Sequence, residues 1–537
     1  MAGTVTSDTT LPTTPRHVTF GTGGLARIAE GIAILARAVR LTYGPRGRNV
    51  LLERPFDAPV AAGNAERICR GFAFDDPLKD LGARLLQEVL LRTKRATGDG
   101  GTVATILFDA MLQGGVRRLA GGADPRALAR GLETAAAAAL RHLEMRSRPV
   151  RPTQLRGLAR SIAGEATLAP LITQALEAAP SAAAVIVEPS RRLTSEVVVE
   201  AGFRLPRGLA SPAMASDTLQ LRTRLARPFI LIAAYPLSAA TDVVPVLHHV
   251  CSRGGSLLIV AEGIEGPALA TLVANKVQRK VEAAAVCAPG HGGERRQIME
   301  DLAAATGGTV VKRDAASDLS SSLGRAEAAV VSKASTVIEG PCGDAARIRG
   351  RLFQIEAAMQ RFTSEAERES LERRGANLLG RTAVIRIGGA SDPAIGEMLH
   401  KAENATQAIK AALRGGVLPG GGGAYIEAAA DIARRLTLYE DERAGADLVL
   451  TALAVPCQQL LGNAGLDEVA GRSVLSRYAA PRGGKIFDVE TGAWRANAIL
   501  DSALVLRSAL HVAASTAALL LTAAVVVTSA PVQETMH

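Results

Sequence analysis

The sequence predicts a multidomain α+β/α/β protein in which one domain is inserted into another, and three observations carry that expectation. At 537 residues the chain is longer than a single hydrophobic core supports. Its two ends are alike, rich in alanine and in apolar residues at helical spacing. Its middle differs, with short continuous apolar runs alternating with amphipathic stretches, the pattern of an α/β sheet domain. Ends that match each other and not the middle mark the middle as an insertion. Aromatics make up only 3% of residues against 48% hydrophobic overall, so the cores must be aliphatic and built from packed helices.

From the N-terminus, Leu25, Ile28, Ile32, Leu35 and Val39 recur at three- and four-residue spacing. They predict an amphipathic helix closed by the Gly44-Pro45 turn. Residues 48–53 read as a short strand, Pro77–Thr97 as a helix with Leu78, Leu81, Leu85 and Val89 inward, and 102–119 as another helix. Helical patterning continues to Met145, and 146–152, with two prolines, reads as a linker. In the middle, 229–234, 256–261 and Ala283–Cys287 are strand-like runs, with helices expected over 239–251 and Gly266–Val277. From Gly416 onward the alanine-rich helical pattern returns.

The net charge of +10 allows a nucleic-acid or acidic partner. The basic residues are scattered and not interleaved with aromatics, so no nucleic-acid partner is expected. Cys69, Cys251, Cys287, Cys342 and Cys457 include no CxxC pair, which supports neither a zinc site nor a disulfide framework. His248 and His249 are adjacent and on a helix would not share a face. Residues 1–16 lack the apolar core of a secretory signal and read as a disordered extension, so a cytoplasmic protein is expected. The apolar run 517–527 sits in a stretch broken by His511, Ser515, Thr516 and Thr522. A spanning helix needs about 20 apolar residues; a buried helix, not a membrane anchor, is the expectation.

Residues 97–102, Thr-Gly-Asp-Gly-Gly-Thr, form a small-residue turn running into a helix. Free N–H groups at a helix start attract phosphate, and glycine lets the anion approach the backbone. Asp99 offers the hard oxygen that Mg²⁺ prefers. There is no GxxxxGK[ST] run, so this is not a P-loop. Three further segments accompany the turn: 41–50 (Leu-Thr-Tyr-Gly-Pro-Arg-Gly-Arg-Asn-Val), Gly420-Gly421-Gly422-Gly423 and Ile499-Leu500-Asp501. In this order and spacing, with 383–390 before the glycine run, the chain resembles the group I chaperonins, the GroEL family, from about His17 to about Ala530.

The resemblance implies a chaperonin fold. A helical equatorial domain would take 17–145 and 415–530, a small intermediate domain 146–200 and 383–414, and an inserted α/β apical, client-binding domain 201–382; 531–537 would be a short tail. Gly202 and Gly380-Arg381 match the apical hinges. ATP and Mg²⁺ are the implied ligands, with K⁺ at a weakened site. Thr42, Tyr43, Gly44 and Pro45 would lie along the nucleotide, Gly421 by the base and ribose, and Asp501 on the ribose. Asp99 would hold the metal, beside Gly100, Gly101, Thr102 and Val103 at the phosphates. The implied assembly is a homo-oligomeric, heptameric ring that takes non-native client proteins and a co-chaperonin lid.

Several positions depart from the family pattern. The family's Thr-Lys-Asp-Gly loop is Ala62-Gly63-Asn64-Ala65 here, its Gly-Thr-Thr-Thr is Gly100-Gly101-Thr102-Val103, and its Glu-Asp-Ala is Glu403-Asn404-Ala405. Asn64 and Asn404 thus stand at both catalytic carboxylate positions. An amide cannot take a proton at neutral pH, and half of its polar face donates. Losing one positioned base costs about 10²–10⁴ in rate, and losses within one unit do not simply add. Weak or absent hydrolysis is expected.

On the implied apical domain, Val244 and Leu247, with Leu269 and Val273, fall at helical spacing where the family exposes apolar groups to clients. Leu209 and Met214 flank them in a segment poorer in aromatics than the family's, which points to an altered or narrowed client range. Three functions follow from these residues: an ATP-driven general folding chaperonin, an ATPase-dead assembly factor for a particular client such as a multicomponent monooxygenase, and a tail-anchored scaffold.

Overall fold

The computed structural model describes residues 16–54, 57–163, 167–179, 184–313, 322–361, 365–479, 485–496 and 499–529. The expected N-terminal extension, up to residue 15, and the tail at 531–537 lie outside them. The backbone divides into two compact units, 1–170 with 401–537, and 171–400. The two expected intermediate segments, 146–200 and 383–414, are each shared between these units.

In the first unit the helical periodicities translate directly into a core. Helix α1 (Thr22–Arg40) buries Leu25, Ile28, Ile32, Leu35 and Val39. After a short α2 (Ala65–Arg70) comes α3 (Pro77–Thr97), whose start is set by the Asp76 side chain accepting Leu78 N and by Pro77 in the first turn. It stops at Gly98, in the left-handed region at φ 76°. Helices α4 (Gly101–Ala120) and α5 (Pro125–Arg146) pack with the Glu440–Asn463 and Ala503–Leu521 helices around them. Each buried Leu or Val side chain here contributes roughly 1.5–3 kcal/mol.

Glu440–Asn463 and Ala503–Leu521 are long and apolar enough to cross a membrane by length and composition, but most of each apolar stretch is buried in this core. The expected single helix over 517–527 is corrected. The helix ends at Leu521, and β-branched Val525, Val526 and Val527 enter a strand, Val525–Ser529, that pairs antiparallel with Arg16–Phe20. Both described ends of the chain therefore meet in one ribbon.

The second unit carries an eight-stranded mixed sheet. Ala283–Cys287, Ser256–Ile264 and Pro228–Leu237 run parallel. The Ala240–Cys251 and Gly266–Val277 helices make the crossovers between them. Gly324–Val331, Thr336–Pro341 and Phe203–Leu205 extend the sheet antiparallel. A separate three-stranded sheet places Arg381–Ile387 between Val185–Pro189 and Glu196–Ala201. The two hinge-matching positions meet: Gly202 N donates to Gly380 O at 2.7 Å. The positive φ falls on Gly202 and Gly380, leaving Arg381 free to start its strand.

Candidate functional site

Four of the sequence segments come together inside the first unit. The first follows α1. Thr42 Oγ1 donates back to Val39 O at 2.8 Å, and Asn463 Nδ2 donates to Arg40 O at 3.0 Å and Tyr43 O at 2.8 Å. Gly44 takes φ 82°, and a Cβ there would come within 2.2 Å of Leu460 Cδ2. This turn is clamped from both its own helix and the Glu440–Asn463 helix.

The second segment is the Asp99 turn. Gly98 N donates to Lys94 O at 2.7 Å, and Thr97 Oγ1 donates to Asp99 O at 3.0 Å. Gly100, at φ 87°, is the N-cap of α4, so the first amides of a 20-residue helix open beside Asp99. The third and fourth segments are joined by a short ladder pairing Leu418 with Asp501. In the glycine run between them, Gly420 N donates to Ile499 O at 3.1 Å, and Gly421 and Gly422 both hold positive φ. A Cβ on Gly420 would stand 3.1 Å from Asp501 Oδ1.

Electrostatics shows how closely these segments converge. Asp99 keeps a solvent-facing side, yet the protein packed around the rest of it pushes its carboxyl above the usual range, against the pull of the Gly100 amide and Lys94. The Asp501 carboxyl is pushed up to about 7, first by burial and then by the charge of Asp99, with the Gly421 amide opposing. Burial, followed by Asp501, Cys457 and Asp99, raises the Tyr43 phenol well above its ordinary value. Tyr43, Asp99 and Asp501, from three separate segments, thus share one electrostatic neighbourhood.

Helices α2 and α3 pack against each other, and α3 runs into the Asp99 turn. Asn64 is the N-cap of α2, its Oδ1 accepting Glu66 N at 2.8 Å. Asn404 is half-buried on the Asp392–Gly415 helix, one turn before Gln407, whose Cβ a side chain on Gly98 would meet at 2.1 Å. Asn404 and Gln407, three apart, share a helix face, so Asn404 is on the side of that helix that backs the Asp99 turn. The Val103 side chain is buried in the helical core. Among the described residues no three His, Cys, Asp or Glu side chains cluster as a metal site. A lone Asp99 fits an ion that arrives largely coordinated by phosphates and water.

Three side chains near the glycine run went unread in the sequence. Tyr478 Oη accepts Phe487 N at 2.8 Å, and Tyr478, Ile486 and the Phe487 carbonyl all stand within 4 Å of a Cβ built on Gly421. Trp494 packs tilted against Tyr478 and edge-on to Phe487, with Arg477 over its ring. Tyr478 and Ile486 border the glycine run; only the lone tryptophan hinted at this cluster. A cleft of about 400 Å³ between Glu300, Arg347, Arg351 and Gln354 belongs to the second unit and holds none of the motif residues.

The expected client-facing residues divide. Val244 is 49% exposed. Leu269, Val273 and Leu209 are half-buried against the sheet core. Met214 and Leu247 are corrected: at 0% and 5% exposure they are core residues, drawn in against the parallel strands. Val277 and Leu219, which periodicity did not single out, are exposed at 68% and 87%.

Residues 35–531 match the model of the TCP-1/cpn60 chaperonin family. The chain belongs to that family. In structure it is similar to a chaperonin, gp146 of bacteriophage EL 2 (Pseudomonas aeruginosa), crystallised in the presence of ATP-BeFx. The likeness has a TM-score of 0.71 at 18% identity and covers 95% of this chain and 98% of the phage protein. Family and fold together give a chaperonin-like role in protein folding.

Proposed function

We propose that this chaperonin-family chain binds ATP with Mg²⁺ and holds non-native or assembling client proteins within a homo-oligomeric ring, with hydrolysis crippled. The observation that carries this reading is the retained meeting of Tyr43, Asp99, Asp501 and the glycine run beside two asparagines. In it, the first amides of α4 receive phosphate oxygens, Asp99 holds the metal, Asp501 takes the ribose hydroxyls, and Tyr478, Ile486 and Phe487 face the base. The metal would neutralise phosphate charge.

The family pattern aims carboxylates at the attacking water, and one positioned base is worth about 10²–10⁴ in rate. Asn64 offers an amide whose oxygen is already committed to Glu66 N, and Asn404 offers another amide. Neither can accept the proton, so any conformational response follows binding alone. Calorimetric titration with Mg-ATP at millimolar concentration tests the binding half: a measurable heat of binding is expected, and none would make the pocket vestigial. The burial of Met214 and Leu247 favours a narrower client surface, in line with an assembly factor for a particular client.

A further inference from the structure

Lys94, whose charge acts on Asp99, and its partner Glu66 stand beside the Asp99 turn and belong to none of the motifs above. Lys94 lies on the last turn of α3, its carbonyl accepting the N–H of Gly98 immediately before Asp99. Its Nζ is 2.6 Å from Glu66 Oε2, with the two side chains only 29% and 19% exposed. Glu66 lies on the first turn of α2, and its amide is the one capped by Asn64. The chain of contacts therefore runs from the Asp99 turn through Lys94 and Glu66 to Asn64. Glu66 has a second cation, Arg70, at 2.6 Å, so it stays paired if Lys94 leaves. Gly63 brings no cation here, and a side chain there would meet Asn49 Oδ1 at 2.7 Å.

An ammonium on a flexible four-carbon stem can change partners by small rotations. A terminal phosphate carries more charge than a carboxylate and competes well for it. We propose that Lys94 is the phosphate-recognising cation of this pocket, parked on Glu66 and released from it to the terminal phosphates when nucleotide enters. Arg70 then keeps Glu66 neutralised. The inference rests on the nucleotide-binding reading and adds to it the residue that counts phosphates.

The test is calorimetric titration of the full chain with Mg-ATP and, separately, AMP, for the natural protein, Lys94→Met, Lys94→Arg and Glu66→Gln, with a thermal melt of each. Losing a charge-assisted hydrogen bond corresponds to about 10-fold or more in affinity. Lys94→Met should lose that factor for ATP and little for AMP, and Lys94→Arg should keep most of the discrimination. Glu66→Gln, by removing the competing carboxylate, should tighten ATP binding. If the pair only staples α2 to α3, Lys94→Met and Glu66→Gln will both lower the melting temperature and leave the ATP-to-AMP ratio unchanged, which overturns the proposal. Should Lys94→Met fail to fold, Glu66→Gln decides alone, and unchanged or weaker ATP binding overturns it. A natural protein that binds no ATP overturns this inference and the binding reading together; natural binding with an unchanged ratio in Lys94→Met overturns this inference only.

Discussion

Substituting Asn64 separates its structural duty from its chemical one. Its Oδ1 caps α2 through Glu66 N at 2.8 Å. Asn64→Ala removes that cap and leaves the amide without its partner, a loss of about 1 kcal/mol, or roughly 1–2 °C in the melting temperature of a unit this large. Asn64→Asp keeps the cap. Its new charge gains about 0.3–1 kcal/mol from the helix N-terminus, and Glu66 beside it is already paired with Lys94 and Arg70, so stability should change by no more than that. The chemical effect runs the other way. Asn64→Ala should leave phosphate release negligible, Asn404→Asp should raise it, and the Asn64→Asp, Asn404→Asp pair should raise it further. A single restored base is worth about 10²–10⁴, and recovery should stay incomplete while Gly63 brings no cation. Thermal melts and steady-state phosphate release read the two effects independently. If Asn64→Asp destabilises as much as Asn64→Ala, the cap is not what Asn64 does. If the double variant is no faster than the natural protein, the asparagines do not limit hydrolysis.

Other substitutions probe the same pocket and the second unit. Gly98→Ala forces an L residue to φ 76° and drives a Cβ to 2.1 Å from Gln407; it should cost about 3 kcal/mol by urea unfolding and weaken ATP binding, and a neutral result would deny that this turn is pinned by the Asp392–Gly415 helix. Asp501, with its carboxyl raised to about 7, favours the fold while protonated. Its contribution is complete below the unfolded value near pH 4 and lost as pH rises through 7. Asp501→Asn should therefore match the natural protein at pH 4 and exceed its stability above pH 7, while losing ribose binding; equal stability at pH 8 would contradict the burial argument. Leu247→Ala should cost about 2–5 kcal/mol, whereas Val244→Ser should move stability by only about 0.5 kcal/mol and reduce suppression of client aggregation. The opposite pattern would place Leu247, not Val244, on the client face.

Much of the fold was legible because punctuation and periodicity agreed. Pro77–Thr97 was bounded correctly by a proline at its start and a glycine at its end, with one apolar stripe between. The three parallel strands were legible as continuous apolar runs. Less could be read where the deciding contact is distant in sequence. Pairing of Arg16–Phe20 with Val525–Ser529 leaves no local mark. Spacing showed that Val244 and Leu247 share a helix with its apolar side, but not that the second turns inward. The turns of the candidate site fell where the glycines put them. Lys94 and Glu66, 28 residues apart, had no spacing to link them, and Asn64 as a cap emerged only once α2 was placed.

The most direct measurement is steady-state phosphate release by the natural protein, made on the same preparation whose ATP binding has been titrated. Binding without turnover above the uncatalysed background is the predicted result. Robust turnover that Asp99→Ala abolishes would contradict it and make this chain an ordinary ATP-driven chaperonin despite Asn64 and Asn404.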